Sequence, residues 1–349
     1  MSKAINILED ALISGDWEKI EAAIKNGTDI NALDDDGHTL LSCAVLSNDP
    51  DNVRKIIQLG ADINLKLGVN LNVLGYVALI FAQAKKNGER CSVNREIISV
   101  LIKAGADMND AMLIGIRAGS VEFVDLLMQN GADINGKFAY GITPFALAML
   151  GIKNELNPEI LVYLAEHGAD LNERFDLGDN IETTALNICI TLERFDLMKI
   201  LLEHGANPNM KDNRGRTPLI LAFVVGSAGK EEISDLLDGG ADINAQDPKG
   251  LTPLMWSILE FDKSADLMIS ALIRTGGLFT ENGRKWAGFA YSFSALRREN
   301  QLEIVRLLIA RGADVKIRNK NGMTALTYAM MNFDDEILSI LKSAGTKDK

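Results

Sequence analysis

The sequence predicts an all-α fold, a solenoid of stacked helix-turn-helix pairs with short β-turn fingers, and three recurring features predict it. The first is the string Gly-Ala-Asp-φ-Asn, with φ apolar, at Gly60 to Asn64, Gly131 to Asn135, Gly168 to Asn172 and Gly240 to Asn244. Variants begin at Gly27, Gly105, Gly205 and Gly312, with decayed copies at Gly276 and Gly345. The glycines are 26 to 45 residues apart and mostly 33 to 37, the length of one helical hairpin plus a turn. The second feature is register. Positions seven and four before each glycine are apolar in all ten copies, from Ile20/Ala23 through Val124/Leu127 and Ile269/Leu272 to Leu338/Leu341. Three-residue spacing marks one face of a helix, and the glycine follows where the chain must leave that helix. The third feature opens the other helix of each pair. It is Thr143-Pro144-Phe145, Thr217-Pro218-Leu219 and Thr252-Pro253-Leu254, with Thr39, Thr184 and Thr324 leading copies that lack the proline. Threonine caps a first turn, and proline there loses no intrahelical bond.

The elements follow in order. Residues 1–26 form an N-terminal cap, 27–322 the central repeats, and 323–349 a C-terminal cap and tail. Tight turns precede the Thr-led helices at Asp34 to Gly37, Asp212 to Gly215, Asp247 to Gly250 and Asn319 to Gly322, where Asx and Gly tolerate left-handed backbone. Segment 65–110 is irregular, with a long helix over 73–86 and a surface loop from Asn87 to Asn94. The short step from Gly105 to Gly131 has no room for a finger, so Asn109-Asp110 caps the next helix directly. That gap is either a groove for a partner or the mark of a decayed repeat. The turn at 172–183 is lengthened, and 275–291 departs most from the pattern. Trp256 and Trp286 are assigned to packing.

A turn, a Thr-Pro-Leu helix, a second apolar helix and Gly-Ala-Asp at about 33 residues resembles the ankyrin repeat over essentially the whole chain. About ten helix pairs are counted. The histidine of the familiar T-P-L-H string is replaced by Ser42, Ala146, Asn187, Ile220, Met255 and Thr327, which implies a weaker local hydrogen bond with the apolar register intact. The resemblance implies a module that binds other proteins through a concave face lined by turn tips.

Composition narrows the classes. The 349 residues carry 36 Lys+Arg against 48 Asp+Glu, a net charge of −12, so no basic platform for nucleic acid exists and nucleic acid is not an expected partner. No apolar run approaches the roughly 20 residues of a membrane span. Glu9 and Asp10 interrupt any secretory leader, and a cytoplasmic location is expected. Cys43, Cys91 and Cys189 are an odd, scattered set and read as small apolar side chains. Of three histidines, His167 and His204 precede helix-ending glycines and cover the last carbonyls, while His38 sits in a turn without a partner. Gly226 to Lys230 is a turn and no phosphate loop. The aspartates of the repeated motif are turn acceptors. No catalytic set, metal or cofactor is expected.

What remains is surface. The first full turn presents Asp35, Asp36 and His38; the turn before Thr143 presents Phe138, Tyr140 and Ile142. Later turns present Lys211, Arg214 and Arg216, then Lys249 and Leu251, then Arg318, Lys320 and Met323. One end is acidic, the middle apolar and the far end basic. Phe138 either anchors a partner or folds back on its neighbour. The reading is a non-enzymatic protein-binding module, monomeric on its own. The alternatives are a stoichiometric inhibitor, effector or immunity-type protein that blocks an enzyme, and a nucleic-acid-associated factor using the basic tips.

Overall fold

A hydroxyl or amide begins nearly every first helix. The side chains of Thr39, Asn72, Thr184, Thr217 and Thr324 each accept from the backbone N–H three residues on, and Thr143 and Thr252 do the same. A glycine ends most second helices, as at Gly60, whose φ of +99° a Cβ would oppose. These local signals build the computed structural model, which describes residues 2–137, 141–150, 158–176, 182–259 and 298–345. The chain divides into two compact units, residues 1–170 and 171–349.

The first unit contains Ser2–Ser14, Trp17–Lys25, Leu40–Leu46, Pro50–Gln58, Val73–Asn87, Arg95–Lys103, Asn109–Arg117, Val121–Gln129, Pro144–Leu150 and Pro158–Glu166. First helices pack side by side in chain order, as do second helices. The predicted long helix is there, ending in left-handed Gly88. Asn109 and Asp110 do not cap the next helix. They form its first turn, and the Asp107 carboxylate accepts from Asn109 N–H at 3.0 Å.

The second unit begins with a two-residue antiparallel ladder, Phe175–Asp176 against Glu182–Thr183, which is the lengthened turn. Ala185–Thr191, Phe195–Glu203, Pro218–Val225, Lys230–Asp238, Pro253–Leu259, a helix described over 298–310, Ala325–Met331 and Asp335–Gly345 follow. Gly345 lies inside the last helix rather than beyond its end. Gly226 and Glu232 close the Gly226 to Lys230 segment as a turn, the Glu232 carboxylate accepting from Gly229 N–H at 2.7 Å.

The predicted apolar register forms the core. Val53, Ile56, Ile98, Leu101, Val124, Leu127, Leu161, Leu164, Met198, Leu201, Ile233, Leu236, Val305 and Leu308 are all buried, each contributing about 2 kcal/mol of transfer energy. At the two ends Ala23 and Leu338 are only half-buried.

The asparagine of each Gly-Ala-Asp-φ-Asn string binds the repeat ahead of it. Asn64 Oδ1 accepts from Asp107 N–H at 2.7 Å while its Nδ2 donates to Gly105 O at 3.0 Å. Asn135 holds Asp170 and Gly168 in the same way, and Asn209 holds Asp242 and Gly240. Asn31 and Asn172 accept from Asp62 and Asn207. The aspartates also close their own turns, as Asp62 does on Asn64 N–H at 2.9 Å. In the second unit the ladder passes from Asn244 to Asp314 N–H at 2.8 Å, a separation of 70 residues. Gln301 Nε2 likewise donates to Ser257 O at 2.8 Å, so the 298–310 helix completes the repeat opened by Pro253–Leu259. Gly276, Ile269, Leu272, Trp286 and Tyr291 lie outside the described residues. The turns flanking them are bonded to each other, Asn244 to Asp314 N–H and Lys249 O to Lys320 N–H.

Candidate protein-interaction surface

Among the described residues, four fingers are tied by an Asx side chain at the base. Asp34 Oδ1 accepts from Asp36 and His38 N–H at 2.9 and 2.7 Å, and Asp212, Asp247 and Asn319 do the same in their fingers. Closed fingers then touch. Gly68 N–H donates to Gly37 O at 2.9 Å, Pro248 packs against Gly215, and Lys320 N–H donates to Lys249 O at 3.1 Å. In the second unit this brings Arg214, Lys249 and Lys320, all exposed, onto successive tips as one basic edge.

Several expected contact residues serve the fingers themselves. Arg216 is half-buried and folds back on Asp212, Nε to Oδ2 at 2.8 Å. Lys211 Nζ donates to Gln246 O at 3.1 Å, and Arg318 Nη1 to Gly322 O at 2.7 Å, both from exposed positions. Leu251 is not at a tip: its N–H closes the Asp247 turn and its side chain is buried beneath the finger. Met323 and Ile142 are half-buried, and Asp35 and Asp36 are exposed. Phe138 and Tyr140 lie outside the described residues. Trp256 is only half-buried, its indole N–H donating to Asp247 Oδ2 at 3.2 Å.

His38 is not partnerless. Its Nδ1 stands 3.6 Å from Asp34 Oδ2 and its ring lies 5.6 Å from that of Tyr76. Beside it the Cys43 thiol donates to Glu9 Oε1 at 3.3 Å. Burial, then the Glu9 carboxylate, pushes Cys43 up to about 12. Burial also raises Glu9, with Asp34 adding to it and the Cys43 hydrogen bond opposing. Asp34 itself is lowered, because the N–H groups of His38 and Asp36 outweigh its burial. His167 and His204 cover the last carbonyls as expected, with Nδ1 at 2.7 Å from Tyr163 O and 2.8 Å from Ile200 O.

A further surface feature has no counterpart in the repeated sequence motifs. Seven residues after the cap, at the solvent end of the first helices, stand Leu46, Leu79, Leu150, Val224, Leu259 and Met331. All but half-buried Val224 are exposed large apolar side chains, from 36% at Leu259 to 60% at Met331. Thr191, at the same position, is polar, and Asn109–Arg117, packed between the helices of Leu79 and Leu150, has buried Gly115 seven residues after its cap and ends in exposed Arg117. Because first helices pack side by side within each unit, equal register makes a row, interrupted in the first unit at Asn109–Arg117. Met330 and Phe333 widen it at the C-terminal pair, Phe333 being 90% exposed. In the sequence these residues only extend the core run of their helices, and an unbroken apolar run carries no phase. In the first unit an open groove lies beside the long helix, lined by Leu79, Ile80, Gln83, Ala84 and Asn87 with Glu89, Arg90 and Ser92.

Among the described residues no helix is long and apolar enough to cross a membrane. Family profiles described as ankyrin repeats match residues 149–247 (three copies) and 293–341 (many copies). The putative ankyrin repeat protein YahD of Escherichia coli (strain K12) is 26% identical over 246 residues, which is 66% of this chain and 95% of that protein. The crystal structure of an ankyrin repeat domain from Acinetobacter baumannii AYE matches with a TM-score of 0.48 and 21% identity, covering 67% of this chain and 97% of that one.

Proposed function

The chain belongs to the ankyrin-repeat family, and on that premise we propose that it is a non-enzymatic module that holds a protein partner against its finger tips and first helices. The observation that carries this reading is the exposed apolar row at a constant register. Large apolar side chains in series on a surface are costly for a solitary protein and usual at an interface. Neighbouring helices pack about 10 Å apart, so the row suits a partner with apolar side chains repeated at about that spacing. The fingers of each unit carry charge of their own, Asp35 and Asp36 in the first and Arg214, Lys249 and Lys320 in the second, all exposed. Charged rims steer approach and select partners more than they add affinity.

The test uses three baits whose helicity is equal by circular dichroism. They are the wild type, a row variant (Leu46→Ser, Leu79→Ser, Leu150→Ser) and a tip variant (Phe138→Ser, Tyr140→Ser, Ile142→Ser). A protein captured from native lysate by the wild type is purified, and its affinity for each bait is measured. Each lost anchor is expected to cost about 1–2 kcal/mol, so the row variant binds roughly a hundredfold or more weaker. Equal affinity for all three baits overturns the assignment.

A further inference from the structure

We propose that Glu9, Asp34 and Cys43, with His38 beside Asp34, form a site for one divalent cation of the zinc class, which ties the N-terminal helix to the first finger. The inference goes beyond partner binding and does not depend on it. The donors come from three separate elements. Glu9 belongs to Ser2–Ser14, Asp34 and His38 to the first finger, and Cys43 to Leu40–Leu46. One ligand atom from each of Glu9, Asp34 and Cys43 lies within 4.8 Å of the others.

The spacing suits the chemistry. Zinc bonds of about 2.3 Å to sulfur and about 2.0 Å to oxygen or nitrogen place tetrahedral donors about 3.3–3.5 Å apart. Cys43 Sγ and Glu9 Oε1 are 3.3 Å apart, and His38 Nδ1 and Asp34 Oδ2 are 3.6 Å apart. A thiolate among the donors favours zinc over magnesium or calcium, which take oxygen donors. Among the described residues no lysine or arginine forms a salt bridge with Glu9 or Asp34, so two carboxylates converge on a thiol with only His38 to offset them. Glu9, Asp34 and Cys43 are all only half-buried, so none of the three donors is sealed from solvent. Binding would displace the Cys43 thiol proton and leave a metal–thiolate bond in place of the present hydrogen bond to Glu9.

The test is a titration of the purified full-length chain with Co2+, read by absorption. One equivalent is expected to give ligand-field bands of a tetrahedral ion and a thiolate-to-cobalt charge-transfer band, and Zn2+ abolishes both. Cys43→Ser, folded by circular dichroism, loses the charge-transfer band, whereas Cys91→Ser keeps it. Zn2+ raises the melting temperature of the wild type and not that of Glu9→Gln. Absence of a charge-transfer band at one equivalent overturns the proposal, and so does a band that survives Cys43→Ser.

Discussion

Asn187 is 1% exposed, and neither atom of its amide has a hydrogen-bond partner. Equivalent positions do better: Ser42 Oγ accepts from Thr39 N–H at 2.9 Å, and Thr327 Oγ1 from Thr324 N–H at 3.3 Å, completing reciprocal caps. Asn187→Ser should therefore stabilise the protein by about 1 kcal/mol, seen as a higher urea midpoint with an unchanged slope. An unchanged or lower midpoint would contradict this account. From sequence alone, every loss of the T-P-L-H histidine implies a weakened bond. Hydroxyls at Ser42 and Thr327 restore one, and the buried amide of Asn187 does not, a difference that depends on side-chain reach. Asp334 offers a second check. Burial alone would raise its carboxyl, but Arg298 binds both oxygens at 2.5 and 2.6 Å and the net effect is downward. A carboxyl lower in the folded state than its unfolded value near 3.9 adds stability above that pH and loses it as pH falls through the folded value. Asp334→Asn should lower stability at neutral pH and flatten its fall below about pH 4, measured by denaturation across pH.

At the scale of elements, the fingers depend on close backbone approach. Gly215 has φ of +73°, and a Cβ there would stand 2.6 Å from Pro248 Cγ, whereas Gly322, at φ +77°, has nothing within 4 Å. Both alanine variants incur the left-handed penalty of about 1–2 kcal/mol, and Gly215→Ala should lose about 1–3 kcal/mol more from the clash. Equal losses in a denaturation comparison would show that the tips are not in contact. The asparagine clamps are the other inter-repeat device. Asn209→Ala removes bonds of 2.7 Å from Asp242 N–H and 2.9 Å to Gly240 O, with an expected cost of about 1–2 kcal/mol. The repeated string was plain in the sequence, as were the helices it ends and the aspartates that close their turns. The partner of each asparagine was not, since it lies one repeat ahead. Counting by period therefore set Gly276 next after Gly240, where the bonds run to Asp314.

At the scale of the molecule, the fold class was fully legible because a period repeated many times averages out local noise. The surface was legible only in part. Turn tips were found from their Asx and Gly residues, but Leu251 and Arg216 show that a residue within a turn can face inward to hold it closed. The apolar row was missed because burial depends on which neighbour covers a helix end, and one chain read alone does not say. The direct bond from Asn244 to Asp314 carries a whole-molecule prediction. Replacing residues 260–297 with a three-residue turn like the one joining Leu46 to Pro50 should leave the second unit folded, with a single thermal transition. Loss of cooperative unfolding would show that the flanking repeats need that segment. The same arrangement sets a timetable for synthesis. Gln301, which binds Ser257 O in Pro253–Leu259, follows Ser257 by 44 residues, and the ribosome must add them before that bond can close. At about 5–20 residues per second, Pro253–Leu259 waits roughly 2–9 s without that partner, an interval in which a chaperone could reach the nascent chain.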